Sequence, residues 1–187
     1  ATNVLNGEWK DTDLAGLFVK LRDANNKDTQ ISTDFRKYAP SKDVPAAFIG
    51  QSIFSANGAF AGTLIFQFPI EMLNNITQSA QGLGKTAETY LVGTDLYMRS
   101  DSRFREDDDP SSILFTKVTE EAVRPAFEMQ DSEKEDSEKE ALNTKLNVQE
   151  ITDYRGVHVF SAYEKIHFLN TEWAMLTEIN EDEVMAP

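Results

Sequence analysis

Residues 82–104, GLGKTAETYLVGTDLYMRSDSRF, are the stretch that decides the fold of this chain. They predict two strands, at 88–93 and 96–104, which are joined around Gly93-Thr94-Asp95. Since neighbouring side chains of a strand point to opposite faces, the second strand predicts two faces of different character. One face would carry Leu96, Met98, Ser100 and Ser102. The other face would carry Tyr97, Arg99, Asp101 and Arg103.

The charged face of this strand is a candidate ligand site. Two guanidinium groups and a carboxylate on one face can hold a small carboxylate or amino-acid ligand, because arginine offers a bidentate fork to carboxylates. The same pattern is typical of a surface ladder of salt bridges, or of Arg99 and Arg103 held by neighbouring carboxylates. Both interpretations stay open at this point.

Four residues outside this strand complete the set of candidate ligand contacts. Tyr90, Tyr154 and Tyr163 combine an aromatic ring with a polar tip, which suits a pocket wall that contacts a polar ligand. The alternative for each tyrosine is a place in the core or at a sheet edge. Asp153 is also a candidate contact, and its alternative is a structural role at a turn or strand end.

Gly84-Lys85-Thr86 resembles the end of a phosphate-binding loop, which has the pattern G-x-x-x-x-G-K-[ST]. The first glycine of that pattern would stand at position 79, where the chain has Ser79. The tripeptide also follows a predicted helix and precedes a strand, whereas a phosphate-binding loop follows a strand and precedes a helix. We therefore expect no nucleotide site here, and we expect Gly82 and Gly84 to end the helix.

Composition excludes several classes of function. The chain has 187 residues, a formal net charge of −14 and no cysteine. The negative charge disfavours nucleic acids and anionic membrane surfaces as partners, because phosphate binding needs a basic face. The lack of cysteine excludes a disulfide scaffold and a thiolate metal site. The acidic sequence DSEKE, repeated at 131–135 and 136–140, predicts a solvated helix face or a mobile insertion.

Apolar periodicity predicts the remaining elements. Helices are predicted at 13–22, where Thr12 or Asp13 caps the start, and at 69–80. A strand end followed by a helix is predicted at 113–127, and an exposed loop at 105–112. Strands are predicted at 31–38, 45–54, 60–68, 150–154, 156–166 and 172–180.

An internal repeat groups these elements. Thr33-Asp34-Phe35-Arg36 matches Thr152-Asp153-Tyr154-Arg155, and two apolar strands follow each tetrapeptide. The match and the shared order of elements predict two homologous modules. The second module would have an additional leading hairpin at 88–104.

The sequence predicts no catalytic residues, no metal site and no cofactor. His158 and His167 are nine residues apart, so a regular strand places them on opposite faces. No Ser-His-Asp or Cys-His arrangement is present. Asp107-Asp108-Asp109 lacks the spaced ligands and the glycine of a calcium-binding loop. No run of eighteen apolar residues could span a membrane, so we expect the piece itself to be soluble.

Taken together, these motifs resemble the double-Cache extracytoplasmic sensor domains of bacterial methyl-accepting chemotaxis proteins, a kind also found on sensor kinases and cyclases. The resemblance covers nearly the whole chain. Its second half is carried by Gly82–Thr86, Glu88–Gly93, Met98–Phe104, Asp153–Gly156, Ser161–Tyr163 and Trp173–Glu183. Its first half is carried by Asp34-Phe35, Tyr38–Ser41, Pro45–Ile49 and Gln67–Ile70.

The resemblance implies an α+β fold of PAS-like Cache modules, in which antiparallel sheets are flanked by helices and a small-ligand pocket lies against the sheet. Residues 1–80 would be a partial membrane-distal module without its leading hairpin and long helix. Residues 81–187 would be the membrane-proximal module. The chain departs from the family at Ala87, where glycine is usual, and in the DSEKE tandem. It also lacks the Tyr/Arg/Trp/Asp signature of amino-acid-binding members.

The resemblance also implies a function. The chain would be a small-ligand sensor at the periplasmic face of the inner membrane, with an organic acid or amino acid as ligand. A shift between conformations would pass through the strand at 172–180 to a following membrane helix and cytoplasmic signalling region, in a membrane-anchored homodimer. The alternatives are the sensor of a histidine kinase or cyclase, a ligand-free spacer, and a nucleotide-binding enzyme built around Gly84-Lys85-Thr86.

Overall fold

The computed structural model describes residues 3–79, 84–106, 110–129 and 147–186. The fold is α+β, with antiparallel sheets and four α-helices in the described ranges, as predicted. The chain divides into two compact units. One comprises Ala1–Met72 with His167–Thr171, and the other comprises Leu73–Ile166 with Glu172–Pro187. The assignment of 1–80 and 81–187 to two Cache modules stays a prediction.

The first unit contains a helix and two small sheets. Helix α1 spans Asp13–Ala24, and the hydroxyl of Thr12 caps it by accepting from the Ala15 N–H at 3.3 Å. The strands of this unit are β1 (Gln30–Ser32), β2 (Arg36–Tyr38), β3 (Val44–Ala46), β4 (Phe48–Phe54) and β5 (Phe60–Gln67). One sheet has the order β1-β4-β5 and the other pairs β2 with β3. Helix α2 follows at Ile70–Thr77, and the boundary between the two units falls within it, between Met72 and Leu73.

Helix α1 packs its apolar face on the sheet of the first unit. Leu17 and Leu21 are buried together with Ala46 and Phe48. A side chain at Gly50 would place its Cβ only 2.7 Å from Leu21 Cδ1. Gly50 is therefore the position that lets the helix approach the sheet closely.

The second unit is a four-stranded sheet with a helix packed on it. Its strands are β6 (Glu88–Gly93), β7 (Val148–Thr152), β8 (His158–Phe168) and β9 (Thr171–Asn180), in the order β6-β9-β8-β7. Its helices are α3 (Glu120–Phe127) and the short α4 (Glu181–Val184). The core contains Tyr90, Val92, Met98, Val118, Ala122, Val123, Ala126, Ile151, Val159, Ala174 and Leu176.

The internal repeat corresponds to a shared strand order. The sheet order β1-β4-β5 of the first unit matches β7-β8-β9 of the second, and β6 has no counterpart in the first sheet. Each repeated tetrapeptide begins at the end of the strand that opens its series, at Thr33 after β1 and at Thr152 in β7.

The predicted strand at 96–104 is wrong. Leu96 has a φ of +70°, which turns the chain at that residue. Only isolated bridges follow, between Val92 and Met98 and between Tyr97 and Lys117. Residues 98–102 are all buried, so the predicted division into two faces fails as well. The reason is that this segment divides its backbone hydrogen bonds between β6 and the loop after it: Arg99 N–H donates to the Leu91 carbonyl at 2.7 Å, and Met98 N–H donates to the Thr116 carbonyl at 3.0 Å.

Two other predicted strands are each divided in two. The prediction at 31–38 spans β1 and β2, and the prediction at 45–54 spans β3 and β4. The physical reason is partner choice, since β1 pairs with β4 whereas β2 pairs with β3. The predicted exposed loop at 105–112 is wrong at Ser112, which is buried. The DSEKE tandem at 131–140, Asp107-Asp108-Asp109 and Gly82 lie outside the described residues.

None of the helices in the described ranges has the length and apolar character needed to cross a membrane.

Leu21→Ala should destabilise the first unit strongly. Its side chain projects from α1 onto the sheet and is completely buried, so truncation removes apolar contacts and leaves a cavity. We expect the free energy of unfolding to fall by roughly 3 kcal/mol in a urea titration followed by circular dichroism. Leu64→Ala is the matched control, because Leu64 is 50% exposed, and it should cost less than about 1 kcal/mol. Equal losses would contradict this assignment of buried and exposed faces.

Candidate ligand site

A buried carboxylate organises one end of the second unit. Glu88, the first residue of β6, has no exposed surface. Its Oε1 accepts the Tyr154 hydroxyl at 2.6 Å, and its Oε2 accepts the Ser102 hydroxyl at 3.0 Å and the Arg103 N–H at 3.3 Å. A buried charge needs such donors, because its desolvation is otherwise uncompensated. Glu88 therefore joins β6 to the segment at 102–103 and to the β7–β8 turn.

Arg155 lies beside this carboxylate on the β7–β8 turn. Its Nε and Nη2 each lie 2.6 Å from Asp153 Oδ2, and its Nε is 3.9 Å from Glu88 Oε1. Asp153 is itself fixed, because its Oδ1 accepts the backbone N–H groups of Arg155 at 2.7 Å and Val157 at 3.0 Å. The guanidinium lies 4.2 Å from the centre of the Phe104 ring. The turn thus presents Arg155 in one fixed orientation.

Burial raises the pKa of the Tyr154 hydroxyl, and its hydrogen bond to Glu88 raises it further. The hydroxyl is therefore neutral and acts as a proton donor to Glu88 at physiological pH. The same oxygen is 2.5 Å from Ser102 Oγ. Tyr154 and Ser102 thus form one polar wall that ends on the carboxylate.

A cleft of about 350 Å³ opens against this wall. It has two guanidinium groups, several hydroxyls and two aromatic rings, a combination that suits a small anionic ligand with further polar groups. The residues that line it are Ser102, Phe104, Arg105, Pro110, Ser112, Thr116, Tyr154 and Arg155.

Three of the predicted contacts lie in or beside this group. Tyr154 lines the cleft, whereas Asp153 does not line it but accepts a hydrogen bond from Arg155. Tyr90 is completely buried on β6, with its ring 5.5 Å from the ring of Tyr154. Tyr163 is partly buried and packs against the core. Their role in ligand binding stays a prediction.

The other predicted contacts form hydrogen bonds or ion pairs with groups of the protein itself. Arg99 is 2% exposed and bonds to the Asp95 carboxylate at 2.9 Å and to the Tyr97 carbonyl at 2.8 Å. It lies so close to Gly93 that a Cβ there would be 2.2 Å from its Nη2. Arg103 donates to the Ala87 carbonyl at 2.5 Å. The four residues of the predicted charged face are therefore not gathered on one surface.

Asp101 closes the loop that follows it. Its Oδ1 accepts from the Ser112 N–H at 2.6 Å and from the Ser111 hydroxyl at 2.7 Å, and its Oδ2 accepts from Asn74 at 2.8 Å. These bonds explain why Ser112 is buried. Asp101 thus fixes the position of Ser112, which lines the cleft, although Asp101 does not line it.

Sequence reasoning missed Glu88, Arg155 and Phe104 as members of this site. A signal was present for Glu88, because a charged residue inside the apolar strand ETYLVG needs a partner. Glu178 gives the same signal inside the strand TEWAMLTEIN. Among the described residues, no group of three or more His, Asp or Glu side chains is arranged to hold a metal ion.

Gly84-Lys85-Thr86 binds an anion that the chain itself supplies. The backbone N–H groups of Lys85 and Thr86 donate to the Glu183 carboxylate at 2.8 Å and 2.7 Å, and the Thr86 hydroxyl also donates to it. Gly84 has a φ of +124°, and a Cβ there would lie 2.9 Å from Glu183 Oε1. We call this set of contacts the Glu183 clasp. It connects the entry of β6 to α4.

Comparison with known proteins places the fold. No protein-family model matches the sequence, and no curated protein matches it. The periplasmic sensory domain of the Campylobacter jejuni chemoreceptor Tlp1 matches with a TM-score of 0.60 and 11% identity, over 96% of this chain and 59% of that chain. The chain shares its fold with this sensory domain. The predicted resemblance is thus confirmed at the level of the fold.

Two further structures support the same fold. The ligand-binding domain of the Pseudomonas aeruginosa amino-acid chemoreceptor PctC, in complex with GABA, has a TM-score of 0.53 and 15% identity, over 88% of this chain and 61% of that chain. The extracellular domain of mmHK1S-Z2, a protein described as a histidine kinase, has a TM-score of 0.54 and 16% identity, over 99% and 64%. This chain therefore spans about three fifths of the length of the sensor domains it matches.

Glu183→Gln should open the Glu183 clasp. The Thr86 hydroxyl and the N–H groups of Lys85 and Thr86 lower the pKa of Glu183, so the contact is present above the ordinary value of 4.5 and is lost as pH falls through the lowered pKa. At neutral pH we expect the Lys85 and Thr86 amides to exchange hydrogen several-fold faster in the variant.

The matched control for this experiment is Asp182→Asn, which removes one exposed charge from the same helix. It should leave both exchange rates unchanged, because the two amides donate to Glu183. Equal acceleration in the two variants would contradict the clasp and would point to a general effect of charge on α4.

Proposed function

We propose that this chain is the ligand-sensing domain of a transmembrane receptor, located on the periplasmic face of the bacterial inner membrane. The observation that carries the proposal is the cleft beside Tyr154 and Arg155, which lies in a unit with a Cache-like fold. Its volume of about 350 Å³ matches a small molecule. The domain would bind its ligand without transforming it and would act through a change of conformation.

The lining of the cleft supports a small carboxylate as the ligand, either an organic acid or an amino acid. Asp153 and Asn180 hold Nε and Nη2 of Arg155 in place, so Nη1 can donate to a carboxylate with little loss of side-chain entropy. Ser112 and Thr116 add hydroxyls for further hydrogen bonds, and Phe104 supplies an apolar surface. The solved domain of PctC, which shares the fold, is in complex with GABA.

The contacts of Arg155 suggest how binding would be transmitted. Its Nη2 donates to Asn180 Oδ1 at 3.2 Å, and the Asn180 N–H donates to Thr86 Oγ1 at 3.1 Å. Thr86 is also part of the Glu183 clasp. A ligand that favours one orientation of Arg155 would therefore favour one arrangement of the end of β9 and of α4.

The type of receptor is proposed from the same comparison. Domains with this fold occur in chemoreceptors and in a protein described as a histidine kinase. We propose a chemoreceptor that works as a homodimer, with a sensor kinase as the alternative. Both share the same ligand-sensing step in this chain, and they differ in the signalling region to which it would be connected.

A thermal-shift screen tests the ligand-sensing proposal. The panel contains organic acids, amino acids and ATP, each at a wide range of concentrations. A ligand at a hundred times its Kd adds about 2.7 kcal/mol of stability, which gives a clear shift in Tm. We expect a small carboxylate to stabilise the domain, and we expect Arg155→Lys to weaken that ligand roughly tenfold or more, because lysine cannot keep the Asp153 and Asn180 contacts and also donate into the cleft.

Arg99→Lys is the matched control, since Arg99 bonds to Asp95 and to the Tyr97 carbonyl rather than lining the cleft. It should leave the Kd unchanged. Weaker binding in Arg99→Lys with normal binding in Arg155→Lys would move the site to the charged segment at 97–103. Stabilisation by ATP that Lys85→Ala removes would support a nucleotide-binding protein instead, and silence across the panel would support a spacer.

A further inference from the structure

Two glutamates face each other inside the sheet of the second unit. The register of β6 and β9 places Glu88 directly opposite Glu178. Opposite residues of an antiparallel pair project from the same face, with their Cβ atoms about 5 Å apart. Glu88 is 0% exposed and Glu178 is 1% exposed. Two carboxylates in this position cannot both be ionised without a large electrostatic cost.

The two carboxyl groups differ in their hydrogen bonds. Glu88 accepts from Tyr154, Ser102 and the Arg103 N–H, as described above. No hydrogen bond of normal geometry reaches either oxygen of Glu178, although the buried hydroxyls of Tyr90 and Ser161 face it and, as donors, lower its pKa. Both oxygens of Glu88 thus have donors at normal distances and those of Glu178 do not, which makes Glu178 the group of the two that can hold a proton.

The surroundings of Glu178 are negative on balance. Glu88 and Tyr90 face it from β6, Ser161 faces it from β8, and Asp153 lies on the β7–β8 turn. The guanidinium of Arg155 is paired with Asp153 at 2.6 Å and lies 3.9 Å from Glu88 Oε1. Burial, followed by the charges of Asp153 and Glu88, raises the pKa of Glu178 to about 7, and the Tyr90 and Ser161 hydroxyls offset part of this rise.

We propose that Glu88 and Glu178 form a proton-sensing pair, so that the domain responds to external pH as well as to a ligand in its cleft. The stimulus is the proton itself, which Glu178 holds in mildly acidic medium and releases as the medium passes through neutral pH. The pair needs no ligand, and it therefore stands whether or not the cleft binds a carboxylate.

The position of the pair connects the proton to the rest of the domain. Glu178 lies near the end of β9, two residues before Asn180, which contacts Arg155 and Thr86. Loss of the proton places two buried negative charges on neighbouring strands, where a low dielectric strengthens their repulsion. The last rung between β6 and β9 is weakened, and α4 is less firmly held. Proton binding restores both.

The sign of the stability change follows from the direction of the shift. A carboxyl whose pKa is raised by folding contributes stability that is complete below its ordinary pKa of 4.5 and is lost as pH rises to about 7. Above that value both the folded and the unfolded chain are ionised at this position, so no further change occurs.

Glu178→Gln tests the proposal, because the amide reproduces the neutral form at every pH. Urea titrations of wild type and variant are compared at about pH 5 and about pH 8.5. We expect similar unfolding midpoints at the lower pH. At the higher pH we expect the variant to be the more stable one, with its unfolding equilibrium constant changed roughly a hundredfold relative to wild type. Glu164→Gln, which removes an exposed carboxylate from β8, should show no such difference.

A second measurement keeps the proposal open to refutation if the variant does not fold. The side-chain carboxyl carbon of Glu178 is assigned by NMR in the wild-type domain without added ligand, and its chemical shift is followed with pH. A midpoint near 7 is expected. Amides of β9 from Leu176 to Asn180 should lose exchange protection over the same range. A midpoint near the ordinary value, or an equal stability difference between the variants at both pH values, would overturn the proposal.

Discussion

The second unit depends on keeping the carboxyl group of Glu88 out of contact with water. A buried carboxyl group is tolerated only with its hydrogen-bond partners in place, because a buried polar group without a partner typically costs about 1–3 kcal/mol or more. The donors come from Tyr154, Ser102 and the Arg103 backbone. Two chain segments far apart in sequence must therefore converge on the start of β6. The wall of the cleft is a consequence of that convergence, and the orientation of Arg155 follows from it.

Much of the fold could be predicted from sequence because the relevant signals are local. The apolar spacing in α1 and its Thr12 cap, the strand at 88–93 and the strand at 172–180 all correspond to the observed elements. The segment at 96–104 could not be predicted in the same way. An alternating pattern implies two faces only while the backbone stays extended. Leu96 lies in the left-handed region, which leucine rarely adopts, and the sequence pattern gives no sign of it.

The candidate site was harder to predict for a different reason. Residue type identified Arg99 and Arg103 as possible carboxylate binders, but in the fold both guanidiniums are bonded to nearby groups of the protein. Arg155 was not singled out, although it follows two candidate contacts in the repeated tetrapeptide, and in the fold it has both a structural pairing and a surface in the cleft. The facing of Glu88 and Glu178 depends on strand register, which is a property of the assembled sheet.

The antiparallel pairing of β6 with β9 also has a mechanical meaning. The chain enters β6 at Glu88 and leaves β9 soon after Glu178, so both connections lie at the same end of this strand pair. Two strands that are pulled apart at the same end separate one residue pair at a time, as a zipper does. Strands that are pulled at opposite ends must break all their pairs together. A pull on α4 therefore stretches the Glu183 clasp first and the rung of Glu88 and Glu178 next. A weak force at this end therefore acts on the pair of Glu88 and Glu178 before it reaches the other residue pairs of β6 and β9.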